Sequence, residues 1–432
     1  MTLAHHVTRR EFVKSSALLG AAAAATSVFP SGAWAAGTDR LRVGVIGCGG
    51  RGTGAAADIL AASSSTQLVA LGDVFQDRID SCRSHLAALS PDLAQRATVD
   101  PERCFTGFDA YKSVLAAGID IAILATPPHF RPIHLAAAID KGCHVFMEKP
   151  VAVDPAGVRS VLASAAAATG KRLSIVAGTQ RRHEACYLDA LRRLHNGDFG
   201  RIVDARCYWN QGGLWMHKPR AEWSDMEWQL RNWLYFAWLS GDHIVEQHVH
   251  NLDVINWAIG AAPLRCMGMG GRQVRTHPDY GHIFDHFAIE YEYPGGVRLH
   301  SFCRQIDGCA TRVEEAVHTT HGVLTTRSGF AAFDGAQDAS RKWGFRDPNP
   351  NPYVEEHKNL LKAITSATPL NEAKAVAEAT LTAIMGRMSA YTGQEVTWEK
   401  ALASTLDLSP PAYEFGTLPV PPVAIPGRTP LV

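Results

Sequence analysis

Acidic and basic side chains recur at helical spacing in the run Ser240-Gly241-Asp242-His243-Ile244-Val245-Glu246-Gln247-His248-Val249-His250-Asn251-Leu252-Asp253. The pattern predicts a helix from Ile244 to Ile259, with Val245, Val249, Leu252 and Ile259 as its apolar stripe. Glu246, His250 and Asp253 then fall at i, i+4 and i+7 on a neighbouring face. Burying such groups without partners is costly, so a core-facing helix that carries them together implies a chemical reason. Histidine titrates near neutrality, which suits proton transfer. A metal reading would use Glu246, His248 and His250. Positions i and i+2 point apart on a helix, so no metal site is expected.

A second reactive group lies upstream, where Met147-Glu148-Lys149-Pro150 follows a short apolar run. Glu148 can orient Lys149, and Pro150 rigidifies the turn. Arg181 and Arg182 are candidates to orient hydroxyls or a carboxylate, with surface solvation as the alternative. Seven tryptophans stand between Trp209 and Trp257. Aromatic faces stack on the C–H faces of pyranose rings, although core packing accounts for most such residues. Trp215, in the glycine-flanked Gln211-Gly212-Gly213-Leu214-Trp215, is the one expected to touch a sugar.

The elements that must position these groups begin with the buried-strand pattern Leu41–Ile46. Gly47-Cys48-Gly49-Gly50-Arg51-Gly52 and the helical run Ala55–Ala62 follow at once. Gly47 permits a tight turn, Gly49 lets backbone approach a pyrophosphate, and Gly52 lets helix and strand pack closely. The helix N-terminus then faces diphosphate charge. A second strand, Gln67–Gly72, ends at Asp73, where a ribose-binding carboxylate belongs. Asp73 would repel a 2′-phosphate, which favours NAD over NADP; Arg78 nearby is the opposing signal. Helical patterns at Asp109–Ala117 and His134–Lys141 alternate with strand patterns at Ile119–Ala125 and His144–Met147. Thr126-Pro127-Pro128-His129 closes the first of these strands. The alternation predicts an α/β Rossmann domain, a doubly wound parallel sheet, over residues 36–178. Its cofactor-binding set is Gly47, Gly49, Gly50, Arg51, Gly52, Asp73, Thr126, Pro127, His129, Glu148 and Lys149.

Beyond Gly200, strands at Ile202–Asn210, Phe284–Tyr293, Val297–Arg304 and Val313–Thr319 have no helices between them. Helices return at Val354–Thr365 and Asn371–Tyr391. This predicts an α+β domain with a large, mostly antiparallel sheet over residues 179–432.

The strand-end motifs Thr126-Pro127-Pro128-His129 and Glu148-Lys149-Pro150, with the glycine loop, resemble the glucose-fructose oxidoreductase / inositol dehydrogenase / rhizopine-catabolism (Gfo/Idh/MocA) family. The resemblance runs from about Leu41 to Trp398. Its D-x-G-x-H-x-x-D pattern matches at His250 and Asp253, with Glu246 in place of the usual Asp and His248 in place of the usual Gly. The resemblance implies hydride transfer between a nicotinamide and a secondary hydroxyl of a sugar or polyol. It makes His250 the general acid/base with Asp253 as its helix partner, and Lys149 the electrostatic partner at the reacting hydroxyl; the expected substrate contacts are Arg181, Trp215, Glu246 and Asp253. It also implies a homo-oligomer formed through the second-domain sheet. One alternative is an NAD-dependent glycosidase or lyase that works by transient oxidation and elimination, for which Glu246 and His248 supply extra acid/base groups. Another is a non-catalytic sugar-binding protein, against which the paired lysine and histidine argue.

Residues 8–14 read Thr-Arg-Arg-Glu-Phe-Val-Lys, followed by an apolar run from Ala17 to Val28 and the cleavage pattern Ala33-Trp34-Ala35. This resembles a twin-arginine signal over residues 1–35, so the twin-arginine translocase is an expected partner and the periplasm the expected location. Free nicotinamide cofactor is scarce there, which predicts tight retention. Formal charge balances at zero, so no global field draws the protein to nucleic acid. The nine cysteines are scattered without a CxxC, and most are expected to be small buried apolar groups.

Overall fold

The computed structural model describes residues 40–335 and 339–432; the expected export signal lies outside the described residues. Leu41–Ile46 forms β1, which is buried at five of its six positions. A strand covered on both faces reads as a near-continuous apolar run, and this one does. It sits inside a six-stranded parallel sheet in the order β3-β2-β1-β4-β5-β6. The others are β2 (Thr66–Asp73), β3 (Cys104–Thr106), β4 (Ile121–Leu124), β5 (His144–Met147) and β6 (Ile175–Ala177). The order reverses between β1 and β4, and ligands bind outside the strand ends at such a switch point. Gly47 follows β1, Ala125-Thr126 follows β4 and Glu148-Lys149 follows β5, so the motifs converge there.

Helices on this sheet include α1 (Gly50–Ala62), α2 (Gln76–Ala87), α3 (Pro91–Ala97), α4 (Ala110–Ala116), α5 (Arg131–Asp140) and α6 (Pro155–Gly170). Next comes α7 (Ala185–His195), and then the chain enters a nine-stranded sheet at β7 (Ile202–Gln211). Its order is β14-β13-β12-β11-β7-β10-β9-β8-β15. The pairings are antiparallel except β7 with β10 (Arg298–Gln305). The four expected strands are all present; β9 spans His286–Glu292 and β11 spans Arg312–Thr319. The sequence pattern missed β8 (Arg265–Gly271), whose glycines masked it, and β12 (Gly322–Arg327), β13 (Phe330–Gly335), β14 (Trp343–Gly344) and β15 (Val396–Thr397). One apolar core runs from the first sheet to the second, and seven of the nine cysteines are buried.

The expected helix from Ile244 to Ile259 is two helices. Following α8 (Asp225–Arg231) and α9 (Ala237–Ser240), α10 spans only His243–Glu246 and α11 spans Val249–Ile259. The cause is local. In a continuous helix the Glu246 carbonyl would accept from the His250 N–H. Here it accepts from Lys149 Nζ at 2.7 Å, and the His250 N–H turns to the Gln247 carbonyl at 3.3 Å. Asp242 anchors the start of α10: its carboxylate accepts from His243 N–H, Phe284 N–H and Tyr391 Oη–H. The chain then ends with α12 (Pro352–Thr365), α13 (Ala373–Thr392), α14 (Trp398–Ala403) and an irregular segment, residues 404–432.

Candidate active site

Gly47 turns the chain at φ +99°, and a Cβ there would lie 2.4 Å from the Thr126 nitrogen. A Cβ on Gly52 would lie 1.8 Å from the Gly47 carbonyl oxygen. Both glycines are therefore required by close packing of protein on protein. Gly49 differs: its Cβ would meet nothing within 4 Å. It caps α1, whose first turn carries no acidic residue and whose N-terminus has no side-chain cap. Open space beside unsatisfied N–H groups fits a diphosphate.

A cavity of about 480 Å³ begins at this loop. It is lined by Gly47, Gly49, Gly50, Arg51, Asp73, Thr126 and Pro127 among others. Asp73 accepts from Cys48 N–H (2.7 Å) and Phe75 N–H (3.0 Å), which holds its carboxylate at the end of β2. Burial raises its affinity for a proton, and those two hydrogen bonds oppose the rise. The residues present therefore fit a dinucleotide with a ribose at Asp73.

Arg51 Nε donates to Glu148 Oε1 at 2.6 Å, and its guanidinium also meets Glu356 (3.3 Å) and Asp58 (3.5 Å). Glu148 is thus bound by protein, and its contribution to a cofactor site is to hold Arg51 at the glycine loop. Buried Arg131, missed in the sequence reading, bridges the ends of β4 and β5. It donates to the Thr126 carbonyl (2.7 Å) and the Glu148 carbonyl (2.9 Å).

Lys149 follows directly. Besides the Glu246 carbonyl, its ammonium meets Gln247 Oε1 at 3.3 Å and Glu246 Oε1 at 3.8 Å. Glu246 Oε2 is buried and has no hydrogen-bond partner among the described residues. Such an orphaned atom needs a ligand or water to satisfy it. Burial pushes the Glu246 carboxyl up, against the pull of Lys149, His243 and Arg275. The His250 ring stacks on Trp209, with centroids 5.6 Å apart and planes 22° apart. Burial, then the cations Lys149, Arg181 and Arg51, hold its pKa well below the usual imidazole range. His250 is therefore a neutral imidazole within the field of Lys149, and neither residue is among those lining the cavity.

Several expected site residues are engaged elsewhere. Asp253 is bound by Arg182 through contacts of 2.8–3.1 Å and does not face the cavity. The break before α11 removes the shared face expected for Glu246 and Asp253. Arg181 is buried and donates to Glu315 Oε1 at 2.5 Å, so neither arginine of this pair is simply solvated. His248 is buried against the second sheet, its Nε2 2.7 Å from Ser301 Oγ, and burial pulls it down to about 3. It is thus no extra acid/base group beside Lys149. His129 is absent from the cavity wall. It contacts Tyr413 Oη at 2.8 Å and Trp238 edge-on, while Phe130 and His134 line the cavity instead. The reason is the turn Pro128–Phe130, which buries His129 on its far side. Trp215, expected at a sugar, lines the same cavity as Asp73 and the glycine loop. Gln247 and Trp209 were missed as site residues; only adjacency in the quoted run marked the first, and only membership of the tryptophan-rich stretch marked the second.

Residues 41–176 match GFO_IDH_MocA, the oxidoreductase family with an NAD-binding Rossmann fold. The chain is 34% identical to inositol 2-dehydrogenase 4 of Saccharopolyspora erythraea over 169 residues, 39% of this chain and 44% of that one. It is 26% identical to the 2,7-anhydro-N-acetylneuraminate hydratase of Escherichia coli over 180 residues, 41% of this chain and 44% of that one. The chain spans about half the length of the curated relatives it matches. Among solved structures, the aldose-aldose oxidoreductase of Caulobacter crescentus superposes with a TM-score of 0.64 at 15% identity. That match covers 83% of this chain and 99% of the other, and it shows a shared fold.

Proposed function

We propose, from the match of residues 41–176 to the NAD-binding Rossmann fold of the Gfo/Idh/MocA oxidoreductases, that this protein moves hydride between a nicotinamide and a secondary hydroxyl of a sugar or polyol. The observation that carries the reading is Lys149, fixed on the Glu246 carbonyl at 2.7 Å within the field of a buried, neutral His250. The nicotinamide, when bound, supplies the hydride acceptor or donor. His250 takes the proton from the hydroxyl oxygen. Lys149 stabilises negative charge on that oxygen as the proton leaves. Its hold on the Glu246 carbonyl keeps the ammonium in place before substrate arrives. The experiment is to denature the purified protein, identify the released nucleotide, and then follow absorbance near 340 nm in intact protein as sugars and polyols are added. A protein that carries and binds no nicotinamide nucleotide would overturn the reading.

A second reading is transient oxidation followed by elimination. Glu246 Oε2, buried without a partner, supports it by offering a second acid/base group, and the E. coli relative is named a hydratase. Release of a leaving group with no net change in bound nucleotide would favour it over net oxidation.

Export by the twin-arginine translocase to the periplasm belongs to this proposal, resting on residues 1–35, as does tight retention of NAD. So does a homo-oligomer through the open face of the second sheet. On that face Met267 and Met269 are exposed, and Phe302 stacks with Tyr208 on the neighbouring strand at 5.6 Å.

A further inference from the structure

Trp215 is a large aromatic left 44% exposed, yet the stretch that carries it is pinned. Gly213 N–H donates to Asp307 (2.8 Å) and His217 N–H to Asn232 (2.9 Å). Tyr235 Oη–H donates to the Leu214 and Trp215 carbonyls (3.2 and 3.0 Å), and Trp228 Nε1–H to the His217 carbonyl (2.9 Å). The indole is held out deliberately, with Trp233 6.3 Å away, and both line the cavity of Asp73 and the glycine loop.

The wall beside Asp73 is braced by the second half of the chain, whose Arg231 itself lines the cavity. Phe75 and Phe108 line the cavity. The Arg231 guanidinium lies 3.9 Å from the Phe75 ring centroid while pairing with Asp77 (3.0 Å) and Glu227 (2.9 Å). Phe415 stacks on Phe75 at 6.0 Å and meets Phe108 at 5.4 Å. Around Phe415 the chain is tied to α8: Met226 N–H donates to the Gly416 carbonyl (3.1 Å), Leu418 N–H to Asp225 (3.0 Å), and Gln229 Nε2–H to the Leu418 carbonyl (2.6 Å).

We propose that Trp215, held by this bracing, clamps the adenosine half of the dinucleotide; this rests on the dinucleotide reading above. With the ribose assigned to Asp73, the base has Phe75, Phe108, Trp215 and Trp233 among the aromatic surfaces of the cavity, which also include Tyr111 and Phe130. Flat π faces stack on any base. The clamp joins the first sheet to α8 and to the 404–432 segment, so release requires part of it to move. Trp215 is thereby a nucleotide-retention residue and not a sugar platform.

The test measures the nucleotide carried through gel filtration and its dissociation rate by chase with excess unlabelled NAD. Wild type is expected to retain it. Trp215→Ala should release it about tenfold faster, and Trp215→Phe, which keeps an aromatic face, should stay within about threefold of wild type. Phe415→Ala removes only the outer brace and should speed release about threefold. Equal melting temperatures of the nucleotide-free proteins establish that the variants are folded, and Phe415→Ala carries the test if Trp215→Ala is not. Wild-type retention in both alanine variants overturns the clamp and leaves the dinucleotide reading intact. A Trp215→Ala protein that raises only the KM for sugar also overturns it. A wild-type protein that binds no NAD overturns both.

Discussion

Arg51 and Glu148 are joined at 2.6 Å, across the switch point of the parallel sheet. One belongs to the glycine loop and the other immediately precedes Lys149, so a residue of the glycine loop sets the root of that lysine. Glu356 shares the same guanidinium, and its carboxyl is pushed well up by burial and by Glu148.

Arg51→Met should therefore strand two neighbouring buried carboxylates. The cost of breaking a buried pair is reduced here because the Arg51 side chain is 36% exposed. Urea titration is expected to show a loss of about 2 kcal/mol. A loss below about 0.5 kcal/mol would mean that the cluster does not need its cation.

The glycines of the loop should separate stability from binding. Gly52→Ala places a methyl against backbone, so it should unfold the protein at lower denaturant and abolish nucleotide binding. Gly49 has φ −69° and ψ −176°, ordinary for alanine, with open space at its Cβ. Gly49→Ala should keep wild-type stability but weaken NAD binding by about tenfold or more, because the methyl enters the diphosphate space. Calorimetric titration beside thermal melting reads both, and a Gly49→Ala protein with unchanged affinity contradicts the assignment.

His250→Ala should lower kcat by about a hundredfold or more. The wild-type pH profile is equally diagnostic. The imidazole is held well below its usual range, so it remains a competent base as pH falls through 6.5. The acid limb of kcat/KM for alcohol oxidation should lie well below that value. An acid limb centred on 6.5 would show that His250 is not the base, or is not buried as found.

Stability should fall with acidification earlier than in a protein with exposed histidines. Burial pulls His129 and His282 down to about 4, and His134, His248 and His357 down to about 3. The unfolded chain takes up protons at these groups near 6.5 while the folded chain refuses them. Their stabilising effect is complete above pH 6.5 and is lost progressively as pH falls toward 4. Asp58, Asp73, Glu246, Glu315 and Glu356, whose carboxyls burial pushes up, act in the opposite sense, but they are outnumbered once His144, His217 and His250, which burial also pulls down, are included. Denaturation midpoints measured from pH 7.5 to 4.5 should decline throughout; a flat curve would contradict the buried neutral histidines.

Arg181→Met should destabilise by about 3–5 kcal/mol. It leaves Glu315, fully buried, with only Tyr187, Asn251 and Thr326 as donors. A variant that folds normally but binds sugar poorly would restore the substrate role first expected of Arg181.

The centre of the parallel sheet was legible because β1, β4 and β5 are short apolar runs, a signal carried by consecutive residues, whereas the three-residue edge strand β3, Cys104–Thr106, carries none. Lys149, Glu246 and His250 stood out as candidates because their types are expensive to bury, and the structure does bring Lys149 against Glu246. The break between α10 and α11 was not, since its cause is an ammonium 97 positions upstream that takes a carbonyl from the helix. The same holds for His129 and Asp253, whose types suited a site while their partners, Tyr413 and Arg182, lie far off in sequence. Strands β8, β14 and β15 escaped because glycine-rich or two-residue segments carry almost no periodicity, and β12 and β13 because residue type does not follow burial there: Thr326 is buried while Phe330 is exposed.

The contact of Phe415 with Phe75 also orders events in time. About 340 residues separate the two, so a ribosome adding roughly 10 residues per second needs about half a minute between them. The first sheet can assemble early in translation, but its outer brace cannot seat until the downstream segment has emerged. From the addition of Trp233 until Phe415 emerges, the nascent chain holds every lining residue of the cavity without its outer brace, and under the proposed clamp the last contact closes over whatever the cytosol has already delivered.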